Sequence, residues 1–320
     1  MLVALRSSRP GRRTIRRRRA HTAAVFLRGR SRTSVLIFLL PPLLLYLATV
    51  GFPIAQAVFL SFFRWDGITS MQFIGLENYR RMLDHDPTFW RAALHSVVYL
   101  GIGLIIQVGG ALLVANALTY IRRGRDALKT LYLLPAVLST VAIALLFRRI
   151  YSTQPQGLVN QVLSGAGLDS LARPWLSDIH TALVAVSVPE GWRFMGLYTI
   201  ILFAGLLTVP PEIEEAARLD GASERRIFFQ IRLPHLRPVW ITTLIMATTY
   251  GLRGFDVPYL LTNGGPGTST ELLTTYMYKT AFTSTDYGYA SALSVFIVAE
   301  CVVAVVIILT VLRRKGESLI

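Results

Sequence analysis

The chain has 320 residues, 53% of them hydrophobic and only 16% charged, with a mean hydropathy of +0.50. Soluble domains carry about 25% charged residues, so this composition excludes an ordinary water-soluble domain and points to apolar surface that faces lipid. A formal charge of +15 from 33 Lys and Arg would suit a nucleic-acid binder, and only the placement of those residues can decide the matter.

Residues 1–33 form a basic tail in which eleven Arg, from Arg6 to Arg32, occur without one acid. Ala55-Gln56-Ala57 resembles a signal-peptide cleavage site, but the apolar run before it is too long and an apolar stretch continues beyond it. An organellar transit peptide also fits an Arg-rich, acid-free start. The plain reading is an unstructured cytoplasmic tail that sets topology and touches anionic lipid headgroups.

Six apolar stretches follow at 34–62, 93–118, 131–147, 182–207, 239–261 and 290–312, each long enough to cross roughly 30 Å of hydrocarbon as a helix. Prolines 41, 42, 53, 135 and 189 fall in or beside them and predict kinks. Of the 33 basic residues, 23 lie in the tail, the 119–130 and 208–238 connections and the C-terminus, against 8 in the alternate loops. Both termini are therefore expected in the cytoplasm. The expected architecture is all-α and polytopic: tail 1–33, a six-helix transmembrane domain over 34–312, and a short cytoplasmic tail 313–320. Cys301 is the sole cysteine and lies in an apolar run, which excludes an internal disulfide or a Cys-based zinc site within one chain.

No G-x-x-x-x-G-K-[ST] phosphate loop is present, and H-E-x-x-H, G-x-S-x-G and C-x-x-C are missing too. Any ATP-driven work falls to another chain. The long cytoplasmic connection, 209–238, is the most specific segment. Pro211 at a first helical position, with Glu212, Glu214 and Glu215 behind it, starts a short helix. Gly221 is placed to stop it in a left-handed cap, and Ser223 to cap a second short helix ending near Pro234. The small residues Ala216, Ala217 and Ala222 permit close approach by another protein.

This segment resembles the signature of permease subunits of binding-protein-dependent ABC importers: E-A-A, three residues, G, nine residues, I-x-L-P. Glu215, Ala216, Ala217, Gly221, Ile231, Leu233 and Pro234 match at every position, and Asp220 with Ala222 and Ser223 gives the D-G-A-S version common among carbohydrate permeases. Phe73-Ile74-Gly75-Leu76-Glu77-Asn78-Tyr79, Trp192-Arg193, and Phe255-Asp256 with Thr262-Asn263-Gly264-Gly265-Pro266 resemble further segments of the maltose and glycerol-3-phosphate type. His95-Ser96 departs from the Asn-Thr of many relatives near the start of the second span.

The resemblance implies a non-enzymatic subunit in a bacterial cytoplasmic membrane. It implies a second similar permease, with a heterodimer expected, and two ATPase subunits that dock on the loop and themselves bind ATP and Mg. An extracytoplasmic binding protein would deliver a sugar, oligosaccharide, sugar alcohol or glycerol-3-phosphate. No cofactor is expected in this chain and no nucleic-acid partner. For Gly264, Gly265 and Pro266 two readings stand, a helix stop or a loop that receives the binding protein.

A charge within a span costs roughly 2.5–3.5 kcal/mol on insertion scales, so each is a candidate for function. Glu190 with Arg193, and Arg253 with Asp256, are i, i+3 pairs expected to neutralise one another on one helix face. Trp192, Tyr250, Phe255 and Tyr259 lie nearby and Glu300 sits at similar depth; together these nine residues form the candidate substrate path, since a sugar site needs aromatic faces and polar groups. Gln107 and Asn116 read as hydrogen-bonding glue between helices. The competing class, an ATP-independent secondary transporter or channel, predicts internal repeats with broken helices, and no repeat is visible. A membrane enzyme using Glu190 or Asp256 as acid or base lacks a supporting His or metal motif.

Overall fold

The computed structural model describes residues 32–314. The basic tail, apart from Arg32 and Thr33, and the residues beyond Arg314 lie outside them. The chain divides into two compact units at Gln56 and Ala57. In the first, α1 (Arg32–Tyr46) carries Pro41 and Pro42 and passes into a π turn at Leu47–Gly51. The irregularity thus falls after Pro41 and Pro42 and just before Pro53, whose missing N–H and ring disfavour a regular α turn there. The helix then resumes as α2 (Phe52–Leu60).

The second unit, which begins within α2, contains a departure from a purely helical chain, a hairpin in which β1 (Phe63–Arg64) pairs antiparallel with β2 (Gln72–Phe73). A short α3 (Glu77–Arg80) follows, and its first turn explains the F-I-G-L-E-N-Y segment. Asn78 is buried and donates to the carbonyls of Ser61 and Phe63 at 2.9 and 3.0 Å, while the Tyr79 hydroxyl lies 2.7 Å from Ser61 Oγ. These two side chains fold the segment back onto the chain that precedes it.

The second span begins at Pro87 rather than 93, because Asp86 caps it by accepting from the Thr88 and Phe89 amides and Pro87 supplies the first helical turn. It runs as α4 (Pro87–Leu104), a π turn (Ile105–Gly109) and α5 (Gly110–Tyr120). The third expected span is not one helix. α6 (Arg125–Val137) and α7 (Thr140–Ile150) meet at 98°, where Leu138 and Ser139 turn extended and the Ser139 hydroxyl caps α7 at Ala142. A capping hydroxyl offers the backbone an alternative to continuing the helix, and the apolar pattern does not register it. The connection holds α8 (Leu158–Gly165).

α9 (Ala182–Leu206) is continuous through Pro189, and its buried residues fall all around the helix. It is the central post. Gly196 lies against the Tyr132 carbonyl of α6 and Gly191 against Ile106. After it come α10 (Pro211–Leu219), α11 (Glu224–Ile227), a π turn (Phe228–Arg232) and α12 (Leu233–His235). The fifth expected span is also broken: α13 (Arg237–Leu252) ends, Arg253 to Phe255 are irregular, and α14 (Asp256–Thr262) resumes. Thr274 stabilises the break by donating to the Gly254 carbonyl at 2.5 Å. α15 (Leu273–Phe282) and α16 (Tyr287–Arg314) complete the chain.

Among the described residues three helices are long and apolar enough to cross a membrane unbroken, Ile37–Leu60, Pro87–Tyr120 and Tyr287–Leu312, and two bent pairs also qualify. Apolar packing gathers in three clusters, where α9 meets α7 and α14, where α9 meets α5 and α13, and where α4 meets α15 and α16.

Candidate functional site

The breaks in the third and fifth spans face one another across a cavity of about 580 Å³. Of the nine candidate path residues, Glu190, Arg193, Tyr250, Arg253, Phe255 and Asp256 line it. α9 contributes Glu190 and Arg193, the end of α13 contributes Tyr250, and the irregular segment and the start of α14 supply the rest. Tyr99 of α4 and Thr140 of α7 also reach it, although their sequence context marks neither.

Glu190 and Arg193 stand 4.0 Å apart, a charge contact rather than a hydrogen bond. The guanidinium donates to Thr140 Oγ1 at 2.9 Å and lies 5.0 Å above the Phe194 ring. Glu190 Oε2, Arg193 Nε and the Tyr99 hydroxyl are buried without a hydrogen-bond partner. Burying polar groups without partners costs free energy, and here three of them gather around one cavity.

The second expected pair does not form. Arg253 ends α13 and Asp256 begins α14, so the i, i+3 geometry that one helix would give is lost at the break. Both side chains are exposed and no ion pair joins them. Trp192, Tyr259 and Glu300 do not line the cavity. Trp192 packs edge-on to Phe147 in the core, with ring centres 5.6 Å apart. Tyr259 stacks on Phe255 at 5.0 Å and 19°, so it backs an aromatic wall at one remove. Glu300 is half-buried with one oxygen unpartnered.

The 209–238 connection is a helix-turn-helix. Pro211 occupies the first turn of α10, Gly221 has φ +80°, and Ser223 accepts from the Arg226 amide at 3.4 Å. Glu215, Ala216, Asp220, Gly221, Ser223 and Pro234 are exposed; Ala217, Ala222, Ile231 and Leu233 are half-buried. Nothing lies within 4 Å of a Cβ placed on Gly221. The turn is therefore selected by backbone conformation alone, and it presents small residues outward.

Behind that face is a group that the sequence pattern does not reveal. Arg232, which occupies the unspecified position of I-x-L-P, is 4% exposed and holds both oxygens of Glu214, at 2.8 and 2.7 Å. Its remaining nitrogen donates to Asn116 Oδ1 at 2.8 Å and to the Tyr120 hydroxyl at 2.6 Å. The Arg232 guanidinium holds the Glu214 carboxyl below the usual glutamate range. Hydrogen bonds from Arg218, then from Tyr120, do the same for Glu224.

Gly264, Gly265 and Pro266 follow Asn263, whose φ of +47° ends α14. The loop they form is tied down from within. Glu271, nearly fully buried, pairs with Lys279 at 2.6 Å, and the same ammonium donates to the Asn263 carbonyl at 2.8 Å. Ser96 Oγ accepts from the Leu273 amide at 3.0 Å and His95 Nδ1 lies 3.1 Å from the Glu271 carbonyl. His95-Ser96 thus anchors the loop and does not line the cavity. Neither Glu271 nor Lys279 stood out in the sequence, because partners eight residues apart across a loop and a helix start follow no periodic rule.

Comparison with known proteins agrees with this architecture. The family of binding-protein-dependent transport system inner membrane components matches residues 107–315. The chain is 38% identical over 279 residues to the probable ABC transporter permease protein YurN of Bacillus subtilis (strain 168), covering 86% of this chain and 93% of that protein. It is 32% identical over 283 residues to the multiple sugar-binding transport system permease protein MsmF of Streptococcus mutans serotype c, covering 88% of this chain and 95% of that protein. The fold is similar to the crystal structure of a bacterial alginate ABC transporter in complex with alginate pentasaccharide-bound periplasmic protein, with a TM-score of 0.75, 23% identity, and coverage of 88% of this chain and 94% of that chain. With the family match spanning well over half of the sequence, and the bent spans and helix-turn-helix that the fold displays, the chain belongs to the inner membrane components of binding-protein-dependent transport systems, the permeases of ABC transporters.

Proposed function

We propose that this chain is the membrane-spanning subunit of an ATP-driven importer that carries a sugar, oligosaccharide or related polyol into the cytoplasm. It works with a second, similar permease, two ATP-binding subunits and an extracytoplasmic binding protein. The observation that carries the reading is the helix-turn-helix at 211–235, which exposes Glu215, Ala216, Asp220, Ser223 and Pro234 around the left-handed Gly221, while the sequence has no phosphate loop. A face of small side chains ringed by charges of both signs suits docking into a cleft of another protein. The importer is oriented with both termini and this loop in the cytoplasm of a bacterial inner membrane.

The cavity supports a polar cargo. Glu190, Arg193, Arg253 and Asp256 place two charges of each sign around Tyr250 and Phe255, a combination that meets hydroxyls with charged groups and ring faces with aromatic ones. The relative named for multiple sugars and the neighbour bound to alginate-loaded protein favour a carbohydrate. The loop at Gly264, Gly265 and Pro266 receives the loaded binding protein, held in shape by Glu271 and Lys279.

Copurification tests the assembly: the wild-type chain is expected to form a stable complex with a phosphate-loop ATPase, whereas ion-gradient-driven transport by this chain alone would defeat the reading. Replacement of Gly221 by Val should leave expression intact while ATPase activity no longer responds to the binding protein. Unchanged transport by that variant would count against the role given to the loop.

A further inference from the structure

Five side chains behind the docking face close a ring that joins it to the second span. Arg232 grips Glu214 with two hydrogen bonds. Arg218 bridges from Glu214 Oε2 at 3.1 Å to Glu224 Oε1 at 2.8 Å. The Tyr120 hydroxyl donates to the other oxygen of Glu224 at 2.7 Å and accepts from Arg232 at 2.6 Å, which closes the circuit. Asn116, one turn earlier on the same helix, accepts the remaining Arg232 bond. The ring therefore takes two residues from α10, one from α11, one from the π turn and one from the end of α5.

Its construction suits transmission rather than surface solvation. An exposed ion pair contributes little because water competes for both charges. Here the Arg232 side chain is 5% exposed and that of Glu214 is 15% exposed, so the central pair is withdrawn from water and satisfied by four charge-assisted bonds. Loss of Arg232 leaves the largely buried Glu214 with only its single bond to Arg218, and loss of Glu214 leaves a buried guanidinium without its bidentate partner. A pair of hydrogen bonds to one carboxylate also fixes direction as well as distance, which a single Lys contact would not. α10 is otherwise exposed over most of its length, so this ring is the polar attachment between the docking helix and a membrane span.

We infer that Arg232 is the positioning residue that couples movement of the docked α10 helix to the cytoplasmic end of the second span, acting through Glu214, Asn116 and Tyr120. The inference rests on the importer reading above. When the ATPase subunits move the docking face, the bidentate grip carries α10, the π turn and the α5 terminus as one body. That same second span carries Tyr99 to the cavity wall and Ser96 to the outer loop, so one helix meets all three regions.

The test uses the assembled transporter in lipid vesicles with its binding protein loaded with substrate. Three variants are compared, Arg232→Met, Arg232→Lys and Tyr120→Phe, and basal and binding-protein-stimulated ATPase rates are measured per mole of assembled complex. The docking residues Glu215, Ala216 and Gly221 are untouched, so the variants that fold are expected to assemble. The ratio of stimulated to basal rate is expected to fall about fivefold or more in Arg232→Met, the scale set by losing a bond to a buried charge. Arg232→Lys is expected to recover part of it, and Tyr120→Phe, which changes one hydroxyl and folds most safely, to lose several-fold.

A wild-type ratio in Tyr120→Phe and Arg232→Lys, together with lowered thermal stability, would mean a purely structural brace and would overturn the inference while leaving the importer reading intact. If the wild-type chain forms no complex with an ATPase, the importer reading fails and this one falls with it.

Discussion

Gly196 of α9 faces the backbone of α6 so closely that a Cβ placed there would lie 1.7 Å from the Tyr132 carbonyl oxygen. Backbone cannot swing aside as a flexible side chain can, so Gly196→Ala must push two helices apart. Overpacking of this kind costs about 1–3 kcal/mol in ordinary cores, and a helix crossing built on small residues stands at the upper end. The expected outcome is a lower melting temperature in detergent with reduced yield. By contrast, Gly101, with nothing within 4 Å of its Cβ position, should accept Ala without loss. In the sequence the two glycines are indistinguishable, both being small residues in apolar runs. At the residue scale, candidate positions were legible where spacing follows a fixed pattern: the signature residues and Gly221 could be named as candidates, whereas Arg232 occupied a position the pattern leaves free. Glu190 and Arg193 were found because a charge in an apolar run is costly wherever it sits.

At the scale of elements, the apolar pattern located helical segments and failed where a local cap outbid it. Ser139 ends one helix and begins another, and the Arg253 to Phe255 break separates a charge pair that an unbroken helix would have brought together. The break is what exposes both charges to the cavity. The 263–272 loop shows the same physics in another form, because it is held by a buried pair rather than by regular bonding. Lys279→Met removes the partner of a carboxylate whose side chain is 4% exposed and also releases the Asn263 carbonyl. The expected cost is about 2–4 kcal/mol, below that of a fully buried pair because the lysine is 29% exposed. A drop in melting temperature should be largely recovered by the double variant Lys279→Met with Glu271→Gln, since the buried charge is then gone. The ring at α10 makes a pH prediction. Glu214 and Glu224 have carboxyls held below their ordinary range, so the stability they contribute is fully present above the ordinary value of about 4.3 and is lost as pH falls through the lowered values. Amide exchange over 211–235, corrected for the intrinsic rate, should stay flat from about pH 8 to about pH 5 and rise only at lower pH. Glu214→Gln should raise exchange at neutral pH and weaken the acid limb.

For the whole molecule, the charge of +15 and the neutral 208–238 connection answer different questions. The excess collects in the tail and in alternate connections, the pattern that orients chains in membranes, while the 208–238 segment balances five Arg against five acids and carries no net charge. An expected orientation can be read from sequence because it depends on sums over many residues. The cavity cannot, because it arises where separate spans bend toward one another and no single stretch encodes that meeting. The charge bias makes a prediction that needs neither substrate nor ATPase. Cys301 is the sole native cysteine, so a Cys301→Ser background allows one thiol to be placed at a time. Ser70 and Arg225 are both exposed, on connections that the bias assigns to opposite sides. Ser70→Cys should react with a membrane-impermeant maleimide in intact spheroplasts, and Arg225→Cys only after lysis. If both react in intact spheroplasts, or the order is reversed, the assigned orientation is wrong, and the helix-turn-helix would then lie where no cytoplasmic ATPase can reach it.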